Sequence, residues 1–303
     1  MKVLVTGKDG QVGWELQRAL AAVGDVVALG RQELDLRNVD AIRRTVRDLL
    51  PNIVINAAGY TDVNRAEAER AIADEVNGRA PGIFAEEAAR IGALLVHYST
   101  DYVFSGDFKR PYREDDPVGP INAYGASKLL GEQAIQAVGG HYLIFRTAWV
   151  YATRGKNFFL TILRFAREGK PLRVVADQKG TPTWARLIAE TTAAVLRKPA
   201  GELAQRAGVY HLTAGGETNW HEFARAILSE VANSHAPDAA ACRQALERLQ
   251  AITSAEFSTP ARRPANSVLD NQKLVQVFGI RFPGWREQLH LAVEDWQRGE
   301  TTD

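Results

Sequence analysis

The chain has 303 residues, of which 46% are hydrophobic and 24% are charged, a composition typical of folded globular proteins and not of disordered chains. This length exceeds the usual size of one domain and predicts two unequal domains. A formal net charge of +1 argues against nucleic acid or an anionic membrane as a partner, and no apolar run approaches the roughly 18 residues of a membrane helix.

The first half of the chain alternates short apolar runs with longer segments of helical period. Strands are predicted at residues 2–6, 25–29, 52–56, 93–98 and 142–146. Helices are predicted between them, at residues 11–22, 39–50, 71–91 and 123–138. This order is typical of parallel strands joined by crossover helices. We expect an α/β protein whose residues 1–150 form a Rossmann-type doubly wound parallel sheet.

After about Tyr151 the pattern changes to shorter helices and turns. Helices are predicted at residues 158–167, 185–196, 220–231 and 285–297. The Ala-rich stretch 232–251 favours helix, and residues 259–264 form a rigid, basic turn. We expect residues 151–303 to form mainly a smaller C-terminal substrate-binding domain, with segments from about 171–198 returning to the first domain.

A glycine-rich loop follows the first predicted strand. Its glycines recur at every third residue, and the last of them lies in the first predicted helix. Between a strand and a helix, this spacing is typical of a loop whose amides approach the pyrophosphate of a dinucleotide, with the last glycine allowing close packing. We therefore predict that an NAD(P) cofactor contacts Gly7, Gly10, Gln11, Val12 and Gly13.

The residues after the second and third strands are expected to complete the cofactor site. An acidic residue at the end of the second strand binds the ribose of NAD, whereas an arginine can accept the 2′-phosphate of NADP. Arg31 therefore favours NADPH and leaves NADH possible, unless it is only a solvated surface charge. We expect Asp35 and Leu36 to flank the adenine. The cofactor backbone would pass the small residues Ala57, Ala58 and Gly59, which ordinary packing would also explain.

Tyr124 and Lys128 are four residues apart in a predicted helix, and therefore lie on one face of it. Reduction of a ketone by hydride needs a proton donor and a group that polarises the carbonyl. A nearby ammonium lowers the pKa of a phenol from its ordinary ~10. Tyr-x-x-x-Lys also occurs by chance, but Ser99 and Thr100 end the preceding strand, at the sheet edge where such folds bind ligands. The combination predicts a catalytic site.

The histidines and the cysteine do not predict chemistry. His97 and His211 lie inside predicted strands and are interpreted as core residues. The sequence has no Gly-x-Ser-x-Gly or His-Glu-x-x-His motif, which argues against a hydrolase. The single cysteine, Cys242, excludes an intramolecular disulfide and a Cys-rich zinc site. With a strand-like start and no signal-peptide pattern, these features predict a cytoplasmic protein.

Seven sequence blocks form a more specific pattern. They lie at residues 7–16, 60–63, 99–104, 122–128, 146–151, 177–183 and 263–267. They resemble the corresponding blocks of the dTDP-4-dehydrorhamnose reductases, a family of the extended short-chain dehydrogenase/reductase type, and the resemblance runs from residue 1 to about 275. It implies that NAD(P)H reduces the 4-keto group of dTDP-6-deoxy-L-lyxo-4-hexulose, giving dTDP-L-rhamnose for cell-surface polysaccharide.

The resemblance also implies roles for single residues. Thr100 would polarise the carbonyl, Tyr124 would donate the proton, and Lys128 would orient the nicotinamide ribose and tune the phenol. Trp149 would pack against the sugar, unless it is a core aromatic. The sugar would also contact Val63, Asp101 and Tyr102. The nucleotide end of the substrate would contact Asn157 and Arg263, although a solvated charge explains Arg263 equally well.

Two alternatives remain open. Another nucleotide-sugar enzyme of the same fold, such as a 4-epimerase or a GDP-sugar reductase, would keep both Tyr124 and Lys128. A non-catalytic Rossmann protein that senses the NADP redox state is the alternative of a different class. Proteins of that kind usually lack the tyrosine or the lysine, and this sequence has both.

The resemblance raises the question of a metal. Some of these reductases are dimers that hold Mg²⁺ between subunits through carboxylates, one of which matches Glu15. The position of a second carboxylate is Arg186 here, and a guanidinium cannot ligate Mg²⁺. We therefore expect a homodimer or a monomer without a divalent metal. Glu15 and Arg186 would either meet as an ion pair across that interface or remain separate solvated charges.

Overall fold

Six parallel strands form the central sheet in the computed structural model, which describes residues 1–234 and 236–300. Within these described ranges the strands are β1 (Lys2–Thr6), β2 (Asp25–Leu29), β3 (Ile53–Asn56), β4 (Leu94–Thr100), β5 (Tyr142–Thr147), β6 (Val150–Tyr151), β7 (Arg173–Val175), β8 (Lys179–Gly180), β9 (Thr183–Trp184), β10 (Gly208–His211), β11 (Thr218–Asn219) and β12 (Gln250–Ile252). The central sheet has the order β2-β1-β3-β4-β5-β10, which reverses between β1 and β3. Doubly wound folds bind ligands at the carboxyl ends of the strands at such a reversal.

Helices cover both faces of this sheet and build a second layer beside it. They are α1 (Gln11–Ala19), α2 (Val39–Leu49), α3 (Val63–Ala68), α4 (Arg70–Ala73), α5 (Ala80–Arg90), α6 (Ala123–Val138), α7 (Phe158–Arg167), α8 (Ala185–Leu196), α9 (Ala200–Ala204), α10 (Trp220–Ala232), α11 (Ala239–Arg248), α12 (Gln272–Phe278) and α13 (Trp285–Glu300). Within the described residues, no helix is both long and apolar enough to cross a membrane.

Successive strand residues enter two different cores because side chains alternate across a sheet. In β1, Val3 and Val5 pack with α1, α8 and α12, whereas Leu4 packs with α2 and α5 on the opposite face. A third core, built around Phe159 and Phe223, joins α7, α10, α11 and α13. The prediction of a Rossmann-type doubly wound sheet with a smaller C-terminal unit is confirmed.

The chain returns to the sheet several times after residue 150. Strand β10 pairs with β5, helix α8 packs on α1, and α12 places Leu274 and Phe278 in the core of one sheet face. Strand β7 instead pairs with β12, and its Val174 belongs to the third core. Of the segments near 171–198 that were expected to return to the first domain, α8 does so and β7 does not. The division into domains at residues 150 and 151 stays a prediction.

Two predicted helices differ from the observed ones. The segment 71–91 contains a π-helix, Asp74–Arg79, between α4 and α5, which a search for a 3.6-residue period does not detect. Among the residues of the Ala-rich stretch 232–251 that the structure describes, only α11 and the last residue of α10 are helical, and β12 begins at the end of the stretch. Pairing of β12 with β7 overrides the local helix propensity there.

Candidate active site

A cavity of about 980 Å³ lies over the carboxyl ends of the central strands, at the point where the strand order reverses. This volume is at the upper end of the ~300–1,000 Å³ typical of small-molecule sites. All of the predicted cofactor-, substrate- and proton-handling residues line it, except Gly13. Glu15, which matches the position of a magnesium-binding carboxylate in some of the resembled reductases, also lies outside it.

The glycine loop forms one wall of the cavity. Gly7 has a φ of +77°, and a Cβ there would lie 2.8 Å from the backbone nitrogen of Ala58. Gly13 is buried below the loop, where a Cβ would lie 2.0 Å from the Gly7 carbonyl oxygen, so its glycine is required for packing. No side chain caps α1 at Gly10, which leaves the first amides of the helix available to an anion.

Tyr124 and Lys128 lie one turn apart on α6. The helix begins after Asn122, whose side chain accepts a hydrogen bond of 2.7 Å from the amide of Gly125. Burial raises the pKa of the Tyr124 phenol to about 12, an effect that the neighbouring Thr100 hydroxyl partly offsets. Tyr124 is therefore protonated at neutral pH, as a proton donor must be.

The ammonium of Lys128 is buried and faces β4. Its Nζ donates a 2.6 Å hydrogen bond to the Tyr98 carbonyl and lies 3.2 Å from Nε2 of His97. Burial lowers the pKa of Lys128 to about 8, partly offset by Glu132. These contacts do not include the phenol of Tyr124, so tuning of that phenol by Lys128 stays a prediction. His97 is buried, as expected, but it is not an inert core residue.

Thr100 and Asp101 place two polar groups beside Tyr124. The Thr100 hydroxyl donates to Oδ1 of Asp101 over 2.9 Å and accepts from the amide of Tyr102 over 3.1 Å. The second carboxyl oxygen of Asp101 is buried without a hydrogen-bond partner. Burial raises the pKa of Asp101 to about 7. A carboxyl that is partly protonated near neutral pH therefore borders the predicted reaction site.

Trp149 lines the cavity in a strained conformation. Its φ is +46°, which is rare for a bulky residue, and such strain is common at functional sites. The indole stacks on Trp220, with ring centroids 3.5 Å apart, and lies so close to Gly180 that a Cβ there would be 2.2 Å from it. The alternative of an ordinary core aromatic therefore describes Trp149 poorly. Trp220 was not predicted, because a tryptophan opening a helix carries no functional signal by itself.

Basic residues and one amide also line the cavity. Asn157 caps α7, and its amide nitrogen donates to the carbonyls of Ala152 and Arg154, so it shapes the loop before that helix. Nε of Arg263 is buried without a hydrogen-bond partner. Arg154 and Lys156 also line the cavity and were missed, although two basic residues around a glycine are a signal for an anion.

The opposite end of the cavity contains Arg31, Asp35 and Leu36. Arg31 is exposed. Arg37 holds the pKa of Asp35 at about 2, and the two side chains form an ion pair of 2.6 Å. Asn77, another lining residue that the sequence did not reveal, comes from the π-helix.

The predicted pairing of Glu15 with Arg186 across an interface is wrong, because the two residues meet within one chain. Helices α1 and α8 pack side by side, which brings Nε of Arg186 to 3.1 Å from Glu15. The guanidinium also binds Asp295 of α13 through two hydrogen bonds of 2.7 and 3.0 Å. In the part of the chain that the structure describes, no group of three or more His, Cys, Asp or Glu residues is placed to hold a metal ion.

The fold and the cavity together define a class of protein. A glycine loop at the reversal of a doubly wound sheet, and a Tyr/Lys pair on a helix beside a hydroxyl-bearing strand end, are combined in extended short-chain dehydrogenases/reductases. Comparison with known proteins identifies the family within this class. The family model described as "RmlD substrate binding domain" matches residues 1–298.

Relatives and solved structures agree with this match. The dTDP-4-dehydrorhamnose reductase of Burkholderia thailandensis is 52% identical over 298 residues, which cover 97% of this chain and 99% of the relative. A crystal structure of a dTDP-4-dehydrorhamnose reductase from Clostridium acetobutylicum superposes with a TM-score of 0.88 at 35% identity, covering 98% of this chain and 100% of that one. The Bacillus anthracis enzyme in complex with NADP gives a TM-score of 0.87 at 32% identity, covering 97% and 99%. The chain belongs to the dTDP-4-dehydrorhamnose reductase family.

Proposed function

We propose that this protein uses NADPH to reduce the 4-keto group of dTDP-4-dehydro-β-L-rhamnose, giving dTDP-L-rhamnose. The observation that carries the proposal is that one cavity contains the glycine loop and the set formed by Thr100, Tyr124 and Lys128. Identity of 52% over nearly the whole chain with a reductase of this name supports the substrate.

The residues present fit a nicotinamide dinucleotide. The positive φ of Gly7 and the absence of a Cβ let the loop lie directly against the backbone of Ala57 and Ala58, and Oε1 of Gln11 is buried without a hydrogen-bond partner that a ligand would supply. Gly10, Val12 and the small residues Ala57, Ala58 and Gly59 would line the pyrophosphate, while Asp35 and Leu36 would flank the adenine. When bound, NADPH supplies the hydride for C4 of the sugar.

The chain's own residues would handle the proton and orient the sugar. Tyr124 would donate its phenolic proton to the alkoxide that forms at the C4 oxygen. Thr100 would hydrogen-bond that oxygen, and Lys128 would hold the nicotinamide ribose. The sugar would pack on Trp149, with Val63, Asp101 and Tyr102 around it. Asn157 and Arg263 would lie at the nucleotide end.

The preference for NADPH over NADH would come from Arg31. Its guanidinium lies at the rim of the cavity, after β2, where the 2′-phosphate of NADPH would extend. The relative from Bacillus anthracis was solved with NADP, which supports this choice. NADH would remain a weaker substrate because the rest of the cradle does not discriminate between the two.

A panel of substrates tests the proposed function. Purified protein is mixed with NADPH and with dTDP-, UDP- or GDP-linked 4-keto-6-deoxy sugars, and the NADPH absorbance is followed. We expect turnover with the dTDP sugar and at least roughly tenfold less with the others. A protein that is purified with bound NAD and interconverts 4-epimers without consuming NADPH would be an epimerase, which contradicts the proposal.

We also propose that the enzyme works in the cytoplasm, as a monomer or a homodimer. The single cysteine is buried and unpaired, which agrees with a reducing compartment. Fractionation of cells and sedimentation of the purified protein test these two points.

A further inference from the structure

A row of polar side chains crosses the apolar interior of the central sheet. Thr6, Asn56 and His97 are direct neighbours on β1, β3 and β4, because the strand register pairs Thr6 with Asn56 and Asn56 with His97. All three are 1% exposed. Polar groups buried in this way destabilise a core unless they are hydrogen-bonded.

The members of the row are joined by hydrogen bonds. Oγ1 of Thr6 lies 2.7 Å from the amide group of Asn56, and the other end of that amide lies 3.2 Å from Nδ1 of His97. Nε2 of His97 lies 3.2 Å from Nζ of Lys128. The row therefore begins one residue before the glycine loop and ends on the lysine of the Tyr/Lys pair.

The charge of Lys128 determines how the row is protonated. An ammonium only donates, so Nε2 of His97 must accept, and a neutral imidazole then carries its hydrogen on Nδ1. In the structure as it stands, Thr6 donates to Oδ1 of Asn56 and the amide nitrogen faces Nδ1 of His97. Turning the amide over interchanges its oxygen and nitrogen, which gives the hydrogen on Nδ1 an acceptor. Burial, together with Lys128, keeps the pKa of His97 well below its usual value, so the imidazole stays neutral.

We propose that His97 is a positioning residue, whose imidazole accepts a hydrogen bond from Lys128 and holds its ammonium in place for the nicotinamide ribose. With its oxygen turned toward His97, Asn56 accepts the Nδ1 hydrogen of the tautomer that Lys128 requires, and the Thr6 hydroxyl accepts from the amide nitrogen. The proposal rests on the proposed function for the role of Lys128 in the reaction. It adds a residue that does not line the cavity and that acts only through Lys128.

Within the part of the chain that the structure describes, few other titratable or charged groups face Lys128. On α6 these are Tyr124 one turn before it and Glu132 one turn after it. Glu132 is itself held by Arg146 of β5 in a buried ion pair of 2.7 Å. On β4 the neighbours are the Tyr98 carbonyl and His97. Because Glu132 is already paired, His97 and the carbonyl are the near acceptors whose loss would most destabilise the ammonium form of Lys128.

Three substitutions separate positioning from packing. His97→Gln keeps an acceptor at the position of Nε2, His97→Asn keeps only a partner for Asn56, and His97→Leu removes both. We expect the Asn and Leu variants to lose roughly tenfold or more in kcat and in NADPH affinity, because misplacing a positioning group is costly. The basic limb of their pH–rate profiles should move about one unit lower, since the ammonium loses an acceptor. The Gln variant should stay within about threefold of wild type.

His211 supplies the matched control, because it is a second buried histidine of the same sheet. It lies on β10, its Nδ1 contacts the Asp270 carbonyl, and its ring packs edge-on against Phe104. His211→Leu should lower the melting temperature without moving the basic limb. The proposal is overturned if the Gln and Asn variants of His97 behave alike, or if the basic limb is unmoved in every His97 variant. Fluorescence titration measures the NADPH affinity of each His97 variant without any turnover. The role of His97 can therefore be tested even if the wild type does not reduce the dTDP sugar, and failure of the proposed function is recognised separately.

Discussion

Burial sets the protonation states of the side chains around the cavity. It raises the pKa values of Tyr124 and Asp101 to about 12 and about 7, and lowers that of Lys128 to about 8. The phenol thus keeps its proton, whereas the carboxyl and the ammonium titrate near the working range of an enzyme. The roles of single residues can therefore be tested by varying the pH and by substitutions that keep the size of the side chain.

Tyr124→Phe should lower kcat by at least ~10²-fold and leave NADPH affinity nearly unchanged, because positioned acid catalysis typically contributes that much. Steady-state kinetics and NADPH fluorescence titration measure the two quantities. Tyr210→Phe is the control, since this tyrosine bonds the Arg206 carbonyl away from the cavity. A Tyr124 variant that turns over at the wild-type rate would remove this residue from the mechanism.

Arg31→Asp should reverse the cofactor preference toward NADH. A carboxylate there repels the 2′-phosphate of NADPH and accepts hydrogen bonds from the ribose hydroxyls of NADH. The measurement is kcat/KM with each cofactor. The control is Arg44→Asp, an exposed arginine of α2 outside the cavity. If both KM values are unchanged in the Arg31 variant, Arg31 does not contact the cofactor.

Asp101→Asn should change how stability depends on pH. The pKa of Asp101 is about 7 in the folded protein, above the ~4 of an exposed carboxyl, so the folded state retains a proton that the unfolded chain releases. The wild type therefore loses stability as pH rises from roughly 4 to 7, and the amide removes that loss. The difference in melting temperature, variant minus wild type, should therefore be larger at pH 8 than at pH 5. If the difference in melting temperature is the same at pH 5 and pH 8, Asp101 does not titrate in this range.

The π-helix between α4 and α5 shows how a single element shapes the site. Its Asn77 accepts from the amide of Tyr60 over 2.8 Å, and donates to the Tyr60 carbonyl over 2.9 Å and to Oγ of Ser127 over 3.0 Å. Close contact with α6 requires a glycine, because a Cβ at Gly131 would lie 2.1 Å from the Asn77 carbonyl oxygen. The π-helix thus connects the loop after β3 with the helix that carries Tyr124 and Lys128.

Asn77→Ala should lower the free energy of unfolding by roughly 1–3 kcal/mol, because it leaves the partly buried amide and carbonyl of Tyr60 without their partners. It should also raise the KM for NADPH, since the loop after β3 loses its anchor. Denaturant unfolding and kinetics measure both effects. Ser127→Ala removes only one of the three hydrogen bonds and should give a smaller loss. If the two variants lose equal stability, the bonds to Tyr60 are not important.

At the scale of the whole molecule, one arginine joins the two layers. Arg186 on α8 binds Glu15 of the sheet layer and Asp295 of α13, and Oγ1 of Thr153 also donates to Asp295. The guanidinium thus lies between these carboxylates and neutralises the negative charge that would otherwise attract a metal cation. Partial exposure of Arg186 limits what these pairs add to stability.

Removal of divalent metal should therefore leave the enzyme unchanged. After EDTA treatment and gel filtration, NADPH oxidation and the sedimentation coefficient should both stay within error of the untreated protein. Arg186→Glu tests the reason, because it restores a carboxylate and should create a dependence on Mg²⁺. Loss of both activity and assembly on stripping, with recovery on adding magnesium, would contradict the prediction.

The sequence alone determined the features whose signals are local. The glycine loop, the Tyr124/Lys128 pair and the approximate bounds of β1 to β5 follow from residue spacing within one turn or one strand, where geometry is set by the backbone. The fold class followed from the order of these elements, and the family from blocks of neighbouring residues. All of these are properties that a chain carries before it folds.

Only the tertiary structure decided which distant residues meet. The row from Thr6 to Lys128 depends on strand register, the placement of Asn77 depends on a π-helix, and Trp220 reaches Trp149 from another layer. The pairing of Glu15 with Arg186, expected between subunits, occurs within the chain because α1 and α8 share one face of the sheet. A contact between positions far apart in sequence is fixed by packing of whole elements, which no local pattern of side chains encodes.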